Sequence, residues 1–162
     1  MPVAVIFCMI FTAGIAADQL LKVWAVQALA DGSVIAVIPG FFTLVYVENR
    51  GAAFGIFQNA TVFFLIMSLV VAAVAVWTMI KNRYFADFPS RLCLTLIVTG
   101  GMGNAVDRIV RGFVVDYMKF EFSFFPWVFN LADVFVVCST IALIGILIFS
   151  KEKAGLFKEE PK

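Results

Sequence analysis

The stretch Ala60–Ile80, ATVFFLIMSLVVAAVAVWTMI, contains no charged side chain. Coiled as an α-helix at 1.5 Å per residue it would be about 30 Å long, the thickness of a bilayer's hydrocarbon core. The rest of the 162 residues agrees: 63% are apolar, only 14% are charged, and the mean hydropathy is +1.03. Soluble domains run nearer half apolar and a quarter charged, so this excess needs lipid to cover it. Three further stretches have the length and apolar content to cross with it, at about 4–26, 91–110 and 128–149. The expectation is an all-α membrane protein, one domain over residues 1–162 with four transmembrane helices. Within the first stretch, the apolar run Val3–Ala17 ends in small residues, Ala13-Gly14-Ile15-Ala16-Ala17, as a cleaved secretory signal would. No Lys or Arg precedes its apolar run, so it reads as a retained helix.

The connections set the orientation. Lys81, Arg83 and Arg91 lie between spans two and three, and Lys151, Lys153, Lys158 and Lys162 in the tail, against Arg50, Arg111 and Lys119 in the other loops. Cytoplasmic loops carry the basic excess, which puts the short loop and both termini in the cytoplasm. The longer connections then face outward. Within an outer loop at about 31–57, Val34–Glu48 is rich in Val, Ile, Phe and Tyr around a Pro39-Gly40 turn, and reads as two short strands. Met118–Phe124 alternates apolar and polar residues, as an interfacial strand would; a short interfacial helix is the other reading. Phe113, Tyr117 and Trp127 are placed in an aromatic belt at headgroup depth.

Spans one, three and four carry ionisable groups, which is expensive in lipid and therefore informative. Counting residues from the cytoplasmic ends puts Asp18, Asp107 and Asp133 between about 21 and 25 Å up their helices, with Asp116 just beyond. Four carboxylates thus converge on one level in the outer half of the bilayer. Histidine is absent, which removes the usual general base and zinc ligand, and Cys8, Cys93 and Cys138 are scattered singly. No metal or cofactor is expected. With a net charge of +1 and no basic stripe, no nucleic acid is expected either.

Each polar motif has a plain reading beside a functional one. Asp18 and Lys22, four apart, share a helix face and pair, either as mutual neutralisation or as part of a site. Asn49-Arg50-Gly51-Ala52-Ala53-Phe54-Gly55 is either a turn or a loop that grips a peptide. Gly100-Gly101-Met102-Gly103-Asn104 lacks the third glycine and the preceding strand of a dinucleotide loop; its glycines suit close helix packing. Arg108, about 100° round the helix from Asp107, is free to neutralise another aspartate. Asn130 and Asp133 are placed on one face of span four. Asp116 and Asp133, if they meet, cannot both ionise cheaply and would share a proton, one acting as base and its partner as acid. The alternative is a solvated loop aspartate and a helix N-terminal one favoured by the macrodipole. On the residues alone these two readings stand level.

Together these blocks — Asp18-Gln19 with Lys22, NRGAAF at Asn49–Phe54, GGMGNAVDR at Gly100–Arg108, GFVVDY at Gly112–Tyr117 and FNLAD at Phe129–Asp133 — resemble the bacterial lipoprotein signal peptidases, in family order and across essentially the whole chain. The resemblance implies an aspartic endopeptidase of the cytoplasmic (inner) membrane that removes signal peptides from diacylglyceryl-modified prolipoproteins, cutting before the lipidated cysteine. It implies Asp116 and Asp133 as the catalytic pair. Asp18, Lys22, Asn49, Gly51, Asn104, Asp107, Arg108 and Asn130 would bind substrate or shape the site. It implies membrane lipid and globomycin-type inhibitors as further partners. The rival readings are a small transporter or proton-relay subunit, whose carboxylates would line an ion path, and a non-catalytic membrane scaffold. Against transport, the polar groups occupy one level and no internal repeat is visible.

Overall fold

The computed structural model describes residues 3–51, 61–81 and 85–149. In chain order these form α1 (Val3–Leu29), β1 (Ile35–Ile38), β2 (Phe42–Asn49), α2 (Thr61–Lys81), α3 (Phe88–Val110), β3 (Val114–Phe120), β4 (Val128–Phe129) and α4 (Leu131–Phe149). Ala52–Gly55 of the expected gripping loop, Arg83 and the lysines of the tail lie outside the described residues.

Among the described residues, α1, α2 from Val62 and α4 are long and apolar enough to cross a membrane. Their outward faces bear exposed side chains such as Leu20, Trp77, Ile80, Ile141 and Ile148, which only lipid would cover favourably. The fourth expected span, α3, is equally long but does not meet that apolar standard. It packs against all three other helices and buries ten of its residues, whereas among the described residues of α2 only Ala75 is buried. A central helix meets protein on every side, so its sequence is released from the need to be apolar all round.

Glycines make this centre possible. A Cβ on Gly100 would strike the Ala132 carbonyl oxygen, and one on Gly103 would lie 2.7 Å from Asp18 Oδ2. The sequence reading of this run as a close-packing surface thus holds. Asp87 caps the start of α3 by accepting the Ser90 N–H at 2.9 Å. At its other end the chain turns through Gly112, whose φ of 79° suits glycine.

Outside the bundle lies a four-stranded antiparallel sheet in the order β1-β2-β3-β4. The two strands expected in Val34–Glu48 are present, turning at Gly40 with φ 73°. The alternation at Met118–Phe124 is displaced: the strand runs Val114–Phe120, and neither a strand nor an interfacial helix covers Phe122–Phe124. The first four residues of β3 are buried, so they show no alternation for a sequence to reveal. Tyr117 leaves the aromatic belt for the core, packed with Ala25, Leu29 and Val115 under the sheet. Phe41, Phe120, Phe122, Phe125, Trp127 and Phe129 form an aromatic cluster, with Phe124 stacked on Phe122 and largely exposed.

Candidate active site

Four elements bring their carboxylates to one place. On α1, Asp18 and Lys22 lie a turn apart and pair at 2.8 Å; Lys22 also reaches Asp107 Oδ2 of α3 at 3.1 Å and donates to Asn104 Oδ1 at 2.9 Å. All three charged groups are buried, so each needs the others: an isolated charge would be far too costly here. Their spare acceptors hold the backbone. Asp18 Oδ1 accepts the Ala132 N–H at 3.1 Å, fixing the start of α4, and Asp107 Oδ2 accepts the Val115 N–H at 3.0 Å, fixing β3.

Asp116 follows Val115 in that anchored strand, and Asp133 stands in the first turn of α4. Asn130 connects them. Its Nδ2 donates to Asp116 Oδ1 at 2.6 Å, while its backbone N–H donates to Asp133 Oδ2 at 3.1 Å. Its own Oδ1 accepts the Asp133 N–H at 3.0 Å, so the two residues cap α4 reciprocally. Asn130 therefore precedes the helix instead of sharing a helical face with Asp133, as the spacing alone suggested. Asn104 Nδ2 donates to Asp133 Oδ1 at 2.8 Å, and Asn49 Nδ2 to Asp116 Oδ2 at 2.8 Å. Asn49 reaches across because β2 pairs with β3 in a register that sets Val114 opposite it, and Asp116 lies diagonally on from there. Its Oδ1 in turn accepts the Gly51 N–H at 3.0 Å.

Asp116 and Asp133 line one cleft of about 1050 Å³. Its polar end also holds Asn49, Gly51, Asn104 and Arg108; its apolar part runs between α2 and α4, past Phe64, Met67, Val71, Val136 and Val137. Arg108 makes no ion pair among the described residues; its guanidinium lies 5.2 Å from the centre of the Phe64 ring and Nη1 donates to the Asn104 carbonyl at 3.4 Å. It stands at the cleft wall, with Asp133 and Asp116 as charged neighbours. Burial, and then the charge of Asp133, push the Asp116 carboxyl up to about 7 against the opposing effect of its two amide donors. Close by, the Tyr117 hydroxyl is buried without a hydrogen-bond partner among the described residues. Burial first, and the charge of Asp18 next, raise it to about 12.

Two participants escaped the sequence reading. Gln19 Nε2 lies within 3.2 Å of Asp18 Oδ2, the Gly103 carbonyl and Asp107 Oδ1, yet it had no role beyond its place in a motif. Arg111, counted as a loop charge, pairs with Asp107 and donates to Gln19 Oε1 at 3.2 Å. The signal was present, since Asp107 and Arg111 are four apart.

Carboxylates, asparagines and a guanidinium around one partly apolar cleft describe a site without naming it. Residues 10–149 match the family model described as signal peptidase (SPase) II. The chain belongs to the signal peptidase II family. It is similar to the lipoprotein signal peptidase of Clostridioides difficile (strain 630), 42% identical over 85% of this chain and 90% of that protein. It also resembles that of Caldanaerobacter subterraneus subsp. tengcongensis, 43% identical over 82% and 88%. Two solved structures of a bacterial membrane enzyme, determined in meso at 2.3 Å and 1.9 Å, share the fold at TM-scores of 0.75 and 0.76. Both are 26% identical, the first covering 96% of this chain and 93% of its own, the second 90% and 94%. As a signal peptidase II the chain is a peptidase of lipoprotein processing, and the transporter and scaffold readings fall.

Proposed function

We propose that Asp116 and Asp133 form the catalytic pair of this signal peptidase, cleaving diacylglyceryl prolipoproteins on the amino side of the lipidated cysteine. The observation that carries this is Asn130, one residue bonded to both carboxylates at the wall of one cleft. With a single proton between them, the ionised carboxylate takes a proton from water as that water attacks the scissile carbonyl. The protonated partner donates to the amide as it leaves. The raised affinity of Asp116 for a proton suits that exchange near neutral pH. Which of the two holds the proton is a property of the pair, not of either residue.

In this reading all four helices cross the cytoplasmic membrane, with both termini inside and the sheet on the outer face. The substrate, anchored by its acyl chains, arrives sideways through lipid. Support comes from α2 and α4, which hardly touch each other within the described residues and leave the cleft's apolar part between them. Asn49, Gly51, Asn104, Arg108 and Asn130 would hold the peptide at the polar end, while Asp18, Lys22 and Asp107 fix the frame behind it. A globomycin-type cyclic peptide would compete for the same cleft. The core farther down α3 is apolar around Leu94, Val98 and Ala75, and the Thr95 and Thr99 hydroxyls bond back to their own helix, so among the described residues no run of charged groups continues from the site there.

The test is cleavage of a purified diacylated precursor. Asp116→Asn and Asp133→Asn should each yield no shortened product while inserting normally into membranes; wild-type cleavage by either ends the proposal. Reporter fusions should place Lys81 inside and Glu48 outside, and the opposite labelling would reverse the orientation.

A further inference from the structure

We propose that Arg111 is a positioning residue for the peptidase reaction, clasping α1 to the end of α3 so that β3 presents Asp116 correctly to the cleft. This rests on the assignment of Asp116 to the catalytic pair. Arg111 does not line the cleft and touches no group assigned to chemistry, so it acts only through others.

The geometry forms a short chain of contacts. Arg111 Nη1 donates both to Asp107 Oδ1 and to Gln19 Oε1 of α1. The other oxygen of the same Asp107 carboxylate holds the Val115 N–H, one residue before Asp116. Asp107 is fully buried, whereas the Arg111 side chain is 21% exposed. The guanidinium thus closes the buried cluster on its solvent side, as Lys22 does from within. Charge counting agrees. Asp18 and Asp107 supply two negative charges and Lys22 one positive; Arg111 makes the cluster neutral. Without Arg111, Lys22 would have to balance two buried carboxylates by itself, and Asp107 would lose the contact that holds its other oxygen toward Val115. Gly112, in the left-handed region directly after Arg111, belongs to the short link between α3 and β3. Both contacts come from the one Nη1, so a single cationic nitrogen at this place is what joins the carboxylate to the amide.

The experiment measures kcat and KM for a synthetic diacylated precursor with the purified full chain, its Arg111→Gln and Arg111→Lys variants, and Asp116→Asn. Misplacing a reacting group by an ångström costs up to about a hundredfold, so Arg111→Gln should lower kcat roughly ten- to a hundredfold with KM little changed. Arg111→Lys, which restores charge and one donor to Asp107, should recover most of that loss. A wild-type kcat in Arg111→Gln, a change in KM alone, or equal losses in the Gln and Lys variants overturns the proposal. Should Arg111→Gln not fold, Gln19→Met removes the α1 half of the clasp and must lower kcat by itself; an unchanged kcat there also overturns it. Asp116→Asn separates the two claims. An active Asp116→Asn removes the catalytic assignment, whereas an inactive one beside a fully active Arg111→Gln removes only the role of Arg111.

Discussion

Helices α2 and α3 are nearly equal in length, yet they solve opposite problems. Within the described residues α2 has no charge before Lys81 and leaves most of its side chains exposed, with Ala75 its only buried residue. α3 carries Arg91, Asp107 and Arg108 and buries ten residues, two of them glycines in contact with other elements. Apolarity along a chain reports what surrounds a helix, and only secondarily how deep it lies. The helix that builds the site is therefore the one whose composition looks least like a membrane span. Being wrapped by α1, α2 and α4, it can hold polar groups that would be prohibitive against lipid.

Substitutions on the two helices can break that contrast. The largest effect is expected where charge is buried beside α3: Lys22→Met strands Asp18 without a cation and leaves Asp107 with Arg111 alone, and losing one partner of a buried ion pair costs about 3–5 kcal/mol. Unfolding followed in detergent should show that loss, and a near-neutral result would mean the aspartates simply take up protons. Next comes Gly100→Leu, which drives a side chain against the Ala132 carbonyl and Val136. Overpacking of this kind costs about 1–3 kcal/mol or more. It should also disturb Asp133, one residue after Ala132, so activity ought to fall further than stability.

A subtler test uses pH. Asp116 holds its proton up to about 7 in the fold, against 3.8 for a free carboxyl. Between those values the folded chain binds more protons than the unfolded one, so this group's contribution to stability is greatest below 3.8 and is lost as pH rises to about 7. Cleavage that needs the shared proton should decline on the alkaline side with an apparent midpoint near 7. A rate flat to pH 9 would show that the pair does not titrate as described. The smallest effect belongs to α2: Val74→Leu adds a methylene to an exposed apolar site and should stay within about 0.5 kcal/mol. A large loss there would mean that protein, not lipid, covers that face.

Much of the site was legible because helical spacing is local. Asp18 and Lys22 had to share a face, and counting along three helices was enough to bring Asp18, Asp107 and Asp133 to one level. The hairpin of β1 and β2 was readable from composition and a turn signal. What failed depended on neighbours. The alternation at Met118–Phe124 misplaced β3, because that strand is fixed by pairing with β2 and by the grip of Asp107 on Val115, neither of which leaves a periodic trace. Asn130 looked helical by spacing, but its hydrogen bonds make it the cap before α4. Tyr117 looked interfacial by residue type and is buried instead.

By itself the sequence determined the solvent, the helical segments and the identities of the acidic residues, since these follow from hydropathy and from a rise per residue that does not depend on context. Only the tertiary structure decided how the carboxylates divide their work. It commits Asp18 and Asp107 to Lys22 and to backbone N–H groups, and leaves Asp116 and Asp133 facing the cleft with asparagines as partners. The physical reason is that a buried carboxylate's character is set by the donors and charges that reach it, and these come from elements far apart in the chain.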